Sequence, residues 1–130
     1  MKLVLDTNAY CLCDVNDEKA LSVVEQAKHL FLPSVVYGEL YYGFRHGTRL
    51  SENLKRLNAF VDQFAVQVIP VDLSVARHYG DLYAWLRKAG RPIPTNDIWI
   101  AACAAAVDGT LLTADAHFQK IDPIDVHWIS

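Results

Sequence analysis

Four acidic residues, Asp6, Glu39, Asp97 and Asp115, lie where carboxylates could do chemistry. Asp6 ends the first apolar run, and Asp115 comes two residues after a later one. Glu39 and Asp97 fall in the first two turns of predicted helices. Carboxylates gathered in one pocket repel each other and raise each other's pKa values, and a divalent cation removes that penalty. A set of oxygen ligands without paired His or Cys favours Mg²⁺ or Mn²⁺ over zinc or copper.

Three of these acids have polar neighbours in the sequence. Thr7 and Asn8 follow Asp6, Asn96 directly precedes Asp97, and Thr113 lies two residues before Asp115. Their hydroxyl and amide groups could hold the carboxylates in place by hydrogen bonds. Threonine and asparagine also favour helix termini for local reasons, so both readings stay open. Asp72 differs, because Asp-Leu-Ser ahead of a helical pattern is ordinary capping chemistry.

The elements that must position these acids alternate between short apolar runs and amphipathic helices. The predicted strands are 2–5, 31–33, 66–71, 110–113 and 125–129. The predicted helices are 18–30, 35–46, one after residue 51, one from 74 to a stop at 90, 97–107, and a short turn at 117–120. Asp17, Ser34, Ser51 and Ser74 are expected at helix N-termini, with Gly47 as a stop.

Short apolar strands separated by helices imply a parallel sheet covered on both faces. In such sheets ligands bind beyond the carboxyl ends of the strands. We therefore expect the four acids to share one edge of the sheet.

Length and composition favour one compact domain. The chain has 130 residues, of which 52% are hydrophobic, and no apolar run reaches the roughly 18 residues of a membrane span. The N-terminal segment reads as a strand and not as a signal peptide. Cys11, Cys13 and Cys103 are an odd set with poor spacing for disulfides or zinc, as expected for thiols in a reducing cytoplasm.

The formal net charge of −3 is unfavourable for a nucleic-acid binder, because phosphate contacts require lysine and arginine. It is a weak argument, since acids in one site could hold a cation while basic residues line the rim. The basic residues expected there are Arg45, His46 and Arg49, with Lys55 and Arg56 one element later. The alternative is a solvated helix face.

Four sequence blocks resemble the PIN-domain family, in order and at normal spacing over nearly the whole chain. They are Leu5-Asp6-Thr7-Asn8, Ser34 with Glu39-Leu40 and Gly43, Pro94-Thr95-Asn96-Asp97-Ile98-Trp99-Ile100-Ala101-Ala102, and Leu112-Thr113-Ala114-Asp115-Ala116-His117-Phe118. Each block alone is weak evidence, whereas four in register are strong evidence.

The length and blocks look most like the VapC-type toxins of bacterial and archaeal toxin–antitoxin pairs. The resemblance implies one PIN domain over residues 1–130, a three-layer α/β fold with a short, mostly parallel central sheet flanked by helices. It also implies a cytoplasmic ribonuclease that uses Mg²⁺ or Mn²⁺, held by Asp6, Glu39, Asp97 and Asp115. Further implications are a homodimer, a small antitoxin that blocks the site, and structured RNA as substrate, often transfer or ribosomal RNA.

The helix predicted at 35–46 has more aromatic residues than one buried face requires, namely Tyr37, Tyr41, Tyr42 and Phe44. This excess indicates a surface for a dimer partner or an antitoxin. His117 is a lone histidine in a turn, for which we expect a surface or capping role.

Three rival functions fit the sequence less well. A phosphorelay receiver requires adjacent acids after the first strand and a late lysine, and the chain fits neither requirement. A non-catalytic module that binds RNA or protein would not need the acids. A metal-dependent phosphoesterase acting on DNA would use the same site on another substrate.

Overall fold

A computed structural model describes residues 1–129 and shows a five-stranded, wholly parallel sheet there, in the order β3-β2-β1-β4-β5. The strands are β1 (Lys2–Leu5), β2 (His29–Pro33), β3 (Gln67–Ile69), β4 (Thr110–Thr113) and β5 (Asp125–Trp128). The helices are α1 (Thr7–Asp14), α2 (Glu18–Gln26), α3 (Ser34–His46), α4 (Leu50–Gln63), α5 (Leu73–Ala89), α6 (Thr95–Ala106) and a 3₁₀ helix (Ala116–Lys120). The predicted α/β fold class is confirmed.

The central strands β1 and β4 form the core of the sheet. Leu3, Val4 and Leu5 are fully buried, as are Leu111 and Leu112, because helices cover both faces. The chain runs from β1 outward to β3 and then crosses back to β4. Since such crossovers are right-handed, α5 and α6 lie on the opposite face from α1 to α4. The strand order therefore reverses between β1 and β4.

Helix α1 is absent from the sequence-based prediction. Its sequence, Thr-Asn-Ala-Tyr-Cys-Leu-Cys-Asp, is short and contains few strong helix formers. The helix begins because Asp6 serves as its N-cap and accepts a hydrogen bond from the Ala9 N–H. The carboxylate singled out as a candidate ligand thus also starts a helix.

The serine caps were predicted wrongly, whereas the aspartate caps were right. Ser34 is the first helical residue of α3, and α4 begins at Leu50, before Ser51. Asp72, not Ser74, caps α5 by accepting from the Val75 N–H at 2.9 Å. Asp17 caps α2 as expected.

Several predicted boundaries were also wrong, because sheet pairing overrides local preference. The helix predicted to reach residue 30 ends at Gln26, since His29 already pairs with Lys2 of β1. The strand predicted at 66–71 shrinks to Gln67–Ile69, with Pro70 after it. Helix α6 begins two residues before Asp97, and β5 ends at Trp128.

Two expectations from composition also hold in the described part of the chain. All three cysteines are free thiols, with Cys13 and Cys103 buried and Cys11 exposed. Among residues 1–129, no helix combines the length and the hydropathy that a bilayer crossing requires.

Asp72 gives a test of the capping assignment. Asp72→Ala leaves the Val75 N–H without its side-chain partner, so the free energy of unfolding should fall by about 1 kcal/mol. Asp72→Asn can still accept this bond and should retain most of the stability. Urea unfolding of both variants measures the difference. Equal stability of the two variants would contradict the capping role.

Candidate metal centre

Asp6 lies at the carboxyl end of β1, and its side chain is only 3% exposed. One carboxylate oxygen accepts from the Ala9 N–H at 2.7 Å, and the other accepts from the Thr113 hydroxyl. Asp6 and Thr113 are the two buried polar side chains in the described core. The two buried polar side chains of the described core therefore lie together, at the carboxyl ends of β1 and β4.

Burial raises the pKa of Asp6 from 3.8 to about 6. This net value also includes the nearby charges of Asp115 and Asp97, which contribute to the rise, and the hydrogen bonds from Thr113 and Ala9, which oppose it. A cation near this carboxylate would offset both the desolvation and the repulsion. A buried acid with a raised pKa is typical of a functional site.

Thr113 joins the two strand ends. Its hydroxyl donates to Asp6 and accepts from the backbone N–H of Asp115 at 2.9 Å. One fully buried side chain thus sets the position of one acid and of the segment that carries another. The contacts place Thr113 between the two acids, and its role in holding metal ligands stays a prediction.

Asp97, Asp115 and His117 form a tight group beside Asp6. The His117 Nδ1 atom lies 3.4 Å from Asp97 Oδ2 and 3.4 Å from Asp115 Oδ1. One ligand atom from each of the three lies within 4.8 Å of the others. Burial is the main cause that raises the pKa of Asp97, followed by the charge of Asp115, and His117 counteracts it.

Glu39 forms the far side of the site. Its Oε1 atom accepts from the Thr7 hydroxyl at 2.7 Å, which ties α3 to the start of α1. The charge of Glu39 is also among the causes that raise the pKa of Asp97. Thr7, Glu39 and Asn96 line an open cleft of about 570 Å³ together with Val35, Gly38 and Tyr42.

The structure therefore brings Asp6, Glu39, Asp97 and Asp115 to one edge of the sheet, where the strand order reverses. Open parallel sheets bind ligands at this reversal. The donors present are carboxylate oxygens with one imidazole nitrogen, a set that fits a divalent cation. Asn8 is exposed in the first turn of α1, and its role remains a prediction.

His117 is the group that sequence reasoning left out of the site. Its side chain is 48% exposed, as a surface residue would be, yet its ring faces two of the acids. Asp115 caps the 3₁₀ helix by accepting from the His117 N–H at 2.9 Å, which holds the His117 backbone next to Asp115. The Asp-x-His spacing was the available signal.

The basic residues predicted to contact RNA are exposed around the end of α3. Arg45 lies in the last turn of that helix, and Arg49 occupies the N-cap position of α4. His46 stacks on Tyr42, with ring centroids 5.9 Å apart, and Tyr42 lines the cleft. Arg56 instead pairs with Asp14 at 2.9 Å.

A separate cavity of about 450 Å³ lies at the amino edge of the sheet. Asp81, Trp85, Gly109 and Asp125 are among its lining residues, and none of the four candidate acids is. This cavity is therefore distinct from the acid cluster and from the open cleft that Glu39 lines.

Comparison with known sequences gives the same family at each level. The PIN domain family model matches residues 3–123. The chain is 28% identical over 133 residues to Ribonuclease VapC1 of Haemophilus influenzae (strain R2866), covering 98% of this chain and 96% of that protein. It is 32% identical over 126 residues to the tRNA(fMet)-specific endonuclease VapC of Shigella flexneri, covering 93% and 92%.

Solved structures agree with the sequence comparison. The fold matches VapBC2 from Rickettsia felis, bound to a DNA fragment from their promoter, with a TM-score of 0.88 and 24% identity over the whole of both chains. It matches VapBC-1 from nontypeable Haemophilus influenzae with a TM-score of 0.85 and 26% identity over 98% of each chain. With the family model spanning nearly its full length, the chain belongs to the PIN-domain family, in its VapC-type group.

Proposed function

We propose that the protein is a divalent-metal-dependent endoribonuclease, the toxin of a type II toxin–antitoxin pair, acting in the cytoplasm. The observation that carries the proposal is the group of carboxylates around buried Asp6, whose pKa is raised to about 6. A buried acid surrounded by other acids is costly unless it has a role as a ligand. The names of the VapC relatives, ribonuclease and tRNA-specific endonuclease, support the reaction class.

Asp6, Asp97 and Asp115 would hold Mg²⁺ or Mn²⁺ by their carboxylate oxygens. A bound divalent cation supplies positive charge for the phosphate and lowers the pKa of water that attacks it. Thr113 fixes the orientation of Asp6 through the hydrogen bond described above. These residues therefore need no nucleophilic side chain to carry out hydrolysis.

Glu39 has a different task in this proposal. Its Oε1 accepts from the Thr7 hydroxyl, and the residue lines the cleft, where its carboxylate would accept a proton from the attacking water or bind the metal. Asn96 lines the same cleft, and its side-chain amide would donate to a phosphate oxygen.

The substrate is proposed to be structured RNA, such as transfer or ribosomal RNA. An RNA chain would pass over the open cleft, with exposed Tyr42 and His46 available for stacking on unpaired bases. Arg45 and Arg49 would contact phosphates beyond the site.

The partner is proposed to be a cognate antitoxin that occupies the cleft, with the toxin itself a homodimer. The VapBC complexes with the same fold support the antitoxin. The exposed rings on α3, with Tyr42 70% and Tyr41 36% exposed, offer an apolar surface for one of these partners.

Removal of the Asp97 charge tests the catalytic proposal. Asp97→Asn keeps the shape but weakens cation binding, so cleavage of structured RNA in Mg²⁺ should fall about 100-fold or more. The matched control is Asp81→Asn, an exposed acid at the amino edge, which should keep full activity. Equal activity of Asp97→Asn and wild type would exclude this site.

The same assay separates the rival functions. Wild-type protein is given RNA and DNA side by side, with Mg²⁺ and with a chelator. Degradation of RNA alone, stopped by the chelator, supports the proposal. Cleavage of DNA would favour the phosphoesterase, and binding without cleavage would favour the non-catalytic module.

The pKa of Asp6 predicts a pH-dependent stability. The pKa of Asp6 is about 6 in the folded protein and 3.8 in the unfolded chain. Its contribution to the free energy of unfolding is therefore fully present below about pH 4 and is lost as pH rises through about 6. Asp6→Asn removes that loss. Without metal near pH 8, the variant should therefore be more stable than wild type by on the order of 1–3 kcal/mol.

Thermal unfolding measures this difference, and added Mg²⁺ should raise the melting temperature of wild type but not of Asp6→Asn. Asp81→Asn serves again as the control and should follow wild type at every pH. A variant that is less stable than wild type near pH 8 would show that Asp6 is not under electrostatic strain.

The predicted RNA contacts are tested by charge removal at Arg45 and Arg49. The double variant with glutamine at both positions should raise KM, leave kcat nearly unchanged, and lower the salt dependence of binding by about one phosphate per residue. Lys28→Gln is the control, since Lys28 precedes β2 at the opposite edge of the sheet. An unchanged KM would place RNA elsewhere.

A further inference from the structure

His117 occupies a position in the acid cluster that a simple surface residue would not need. Its Nδ1 atom lies at equal distance, 3.4 Å, from oxygens of Asp97 and Asp115. These two acids come from different elements, α6 and the segment after β4. The imidazole therefore bridges two parts of the fold at the point where their charges meet.

We propose that the His117 Nδ1 atom is a direct ligand of the divalent cation, beside Asp97 and Asp115, and gives the site a preference for Mn²⁺ over Mg²⁺. This inference rests on the proposed function, because it refines the ligand set of the same metal centre.

The spacing of the three side chains suits one ion. Neighbouring ligands of an octahedral ion, each about 2.1 Å from it, lie about 3 Å apart. The observed N–O separations of 3.4 Å are close to that value, and the three ligand atoms all fall within 4.8 Å. Small side-chain adjustments would place all three on one cation.

The local backbone keeps His117 in this place. Asp115 accepts from the His117 N–H at 2.9 Å, and its own N–H donates to Thr113. The next residue, Phe118, is 1% exposed and anchors the 3₁₀ helix in the core. The backbone of His117 is consequently held on both sides, which keeps its Nδ1 atom close to the two acids.

The nature of the donor sets the metal preference. Mg²⁺ prefers oxygen ligands, whereas imidazole nitrogen suits transition metals, and Mn²⁺ accepts carboxylates as well. Replacing one oxygen by nitrogen therefore costs Mg²⁺ more than it costs Mn²⁺. The alternative is that His117 only donates a hydrogen bond to Asp97, in which case it would not discriminate between the two metals.

The test uses purified full-length protein and Mn²⁺ alone. Pulsed electron paramagnetic resonance of the bound Mn²⁺ should show modulation from a directly coordinated nitrogen. His117→Ala should abolish that modulation while the acids still bind Mn²⁺. His127→Ala, an exposed histidine on β5, is the control and should keep it.

Competition of Mg²⁺ against Mn²⁺ gives a second readout. The ratio of the Mn²⁺ affinity to the Mg²⁺ affinity should fall roughly tenfold in His117→Ala and stay unchanged in His127→Ala. Mn²⁺ binding without nitrogen modulation, or an unchanged ratio, would overturn the inference and leave the proposed function intact. If wild type bound neither metal, the proposed function itself would fail.

Discussion

Burial of the Asp6 carboxylate beside other acids, at the carboxyl end of β1, is the constraint on which the candidate site depends. Asp6 is buried, and its pKa is raised by burial and by the charges of Asp97 and Asp115. The protein holds this arrangement with Thr113, whose hydroxyl joins Asp6 to the Asp115 backbone, and with the Ala9 N–H at the start of α1. The free-energy cost of burying this carboxylate is confined to the site, and burial of the apolar strands around it stabilises the fold.

The fold could be predicted from the apolar runs, because strands buried on both faces contain few polar residues and alternate with helices. Helix α1 could not, since it is short and contains few strong helix formers, and its N-cap is an acid that is also a candidate ligand. The extents of β3 and β5 were wrong for a related reason. They lie at the sheet edges, where Val68 and Trp128 are exposed and local pattern does not define pairing.

The four acids could be located from sequence, because the carboxyl ends of parallel strands share one edge. The ring of His117 could not be placed, since its orientation depends on the capping of a 3₁₀ helix by Asp115. The two hydrogen bonds of Thr113, one to Asp6 and one from the Asp115 N–H, could not be predicted either. The sequence shows that a hydroxyl can donate and accept, but not which groups it meets. In both cases the sequence does not determine the direction in which the side chain points.

The location of these acids relative to the sheet edges has a consequence for variation. Asp6 and Asp115 follow the central strands, and Glu39 and Asp97 lie on helices that begin at the same edge. None of them is attached to β3 or β5, the outermost strands. Insertions, fusions or lengthened loops at those outer strands could therefore accumulate during evolution or be engineered without moving the four acids.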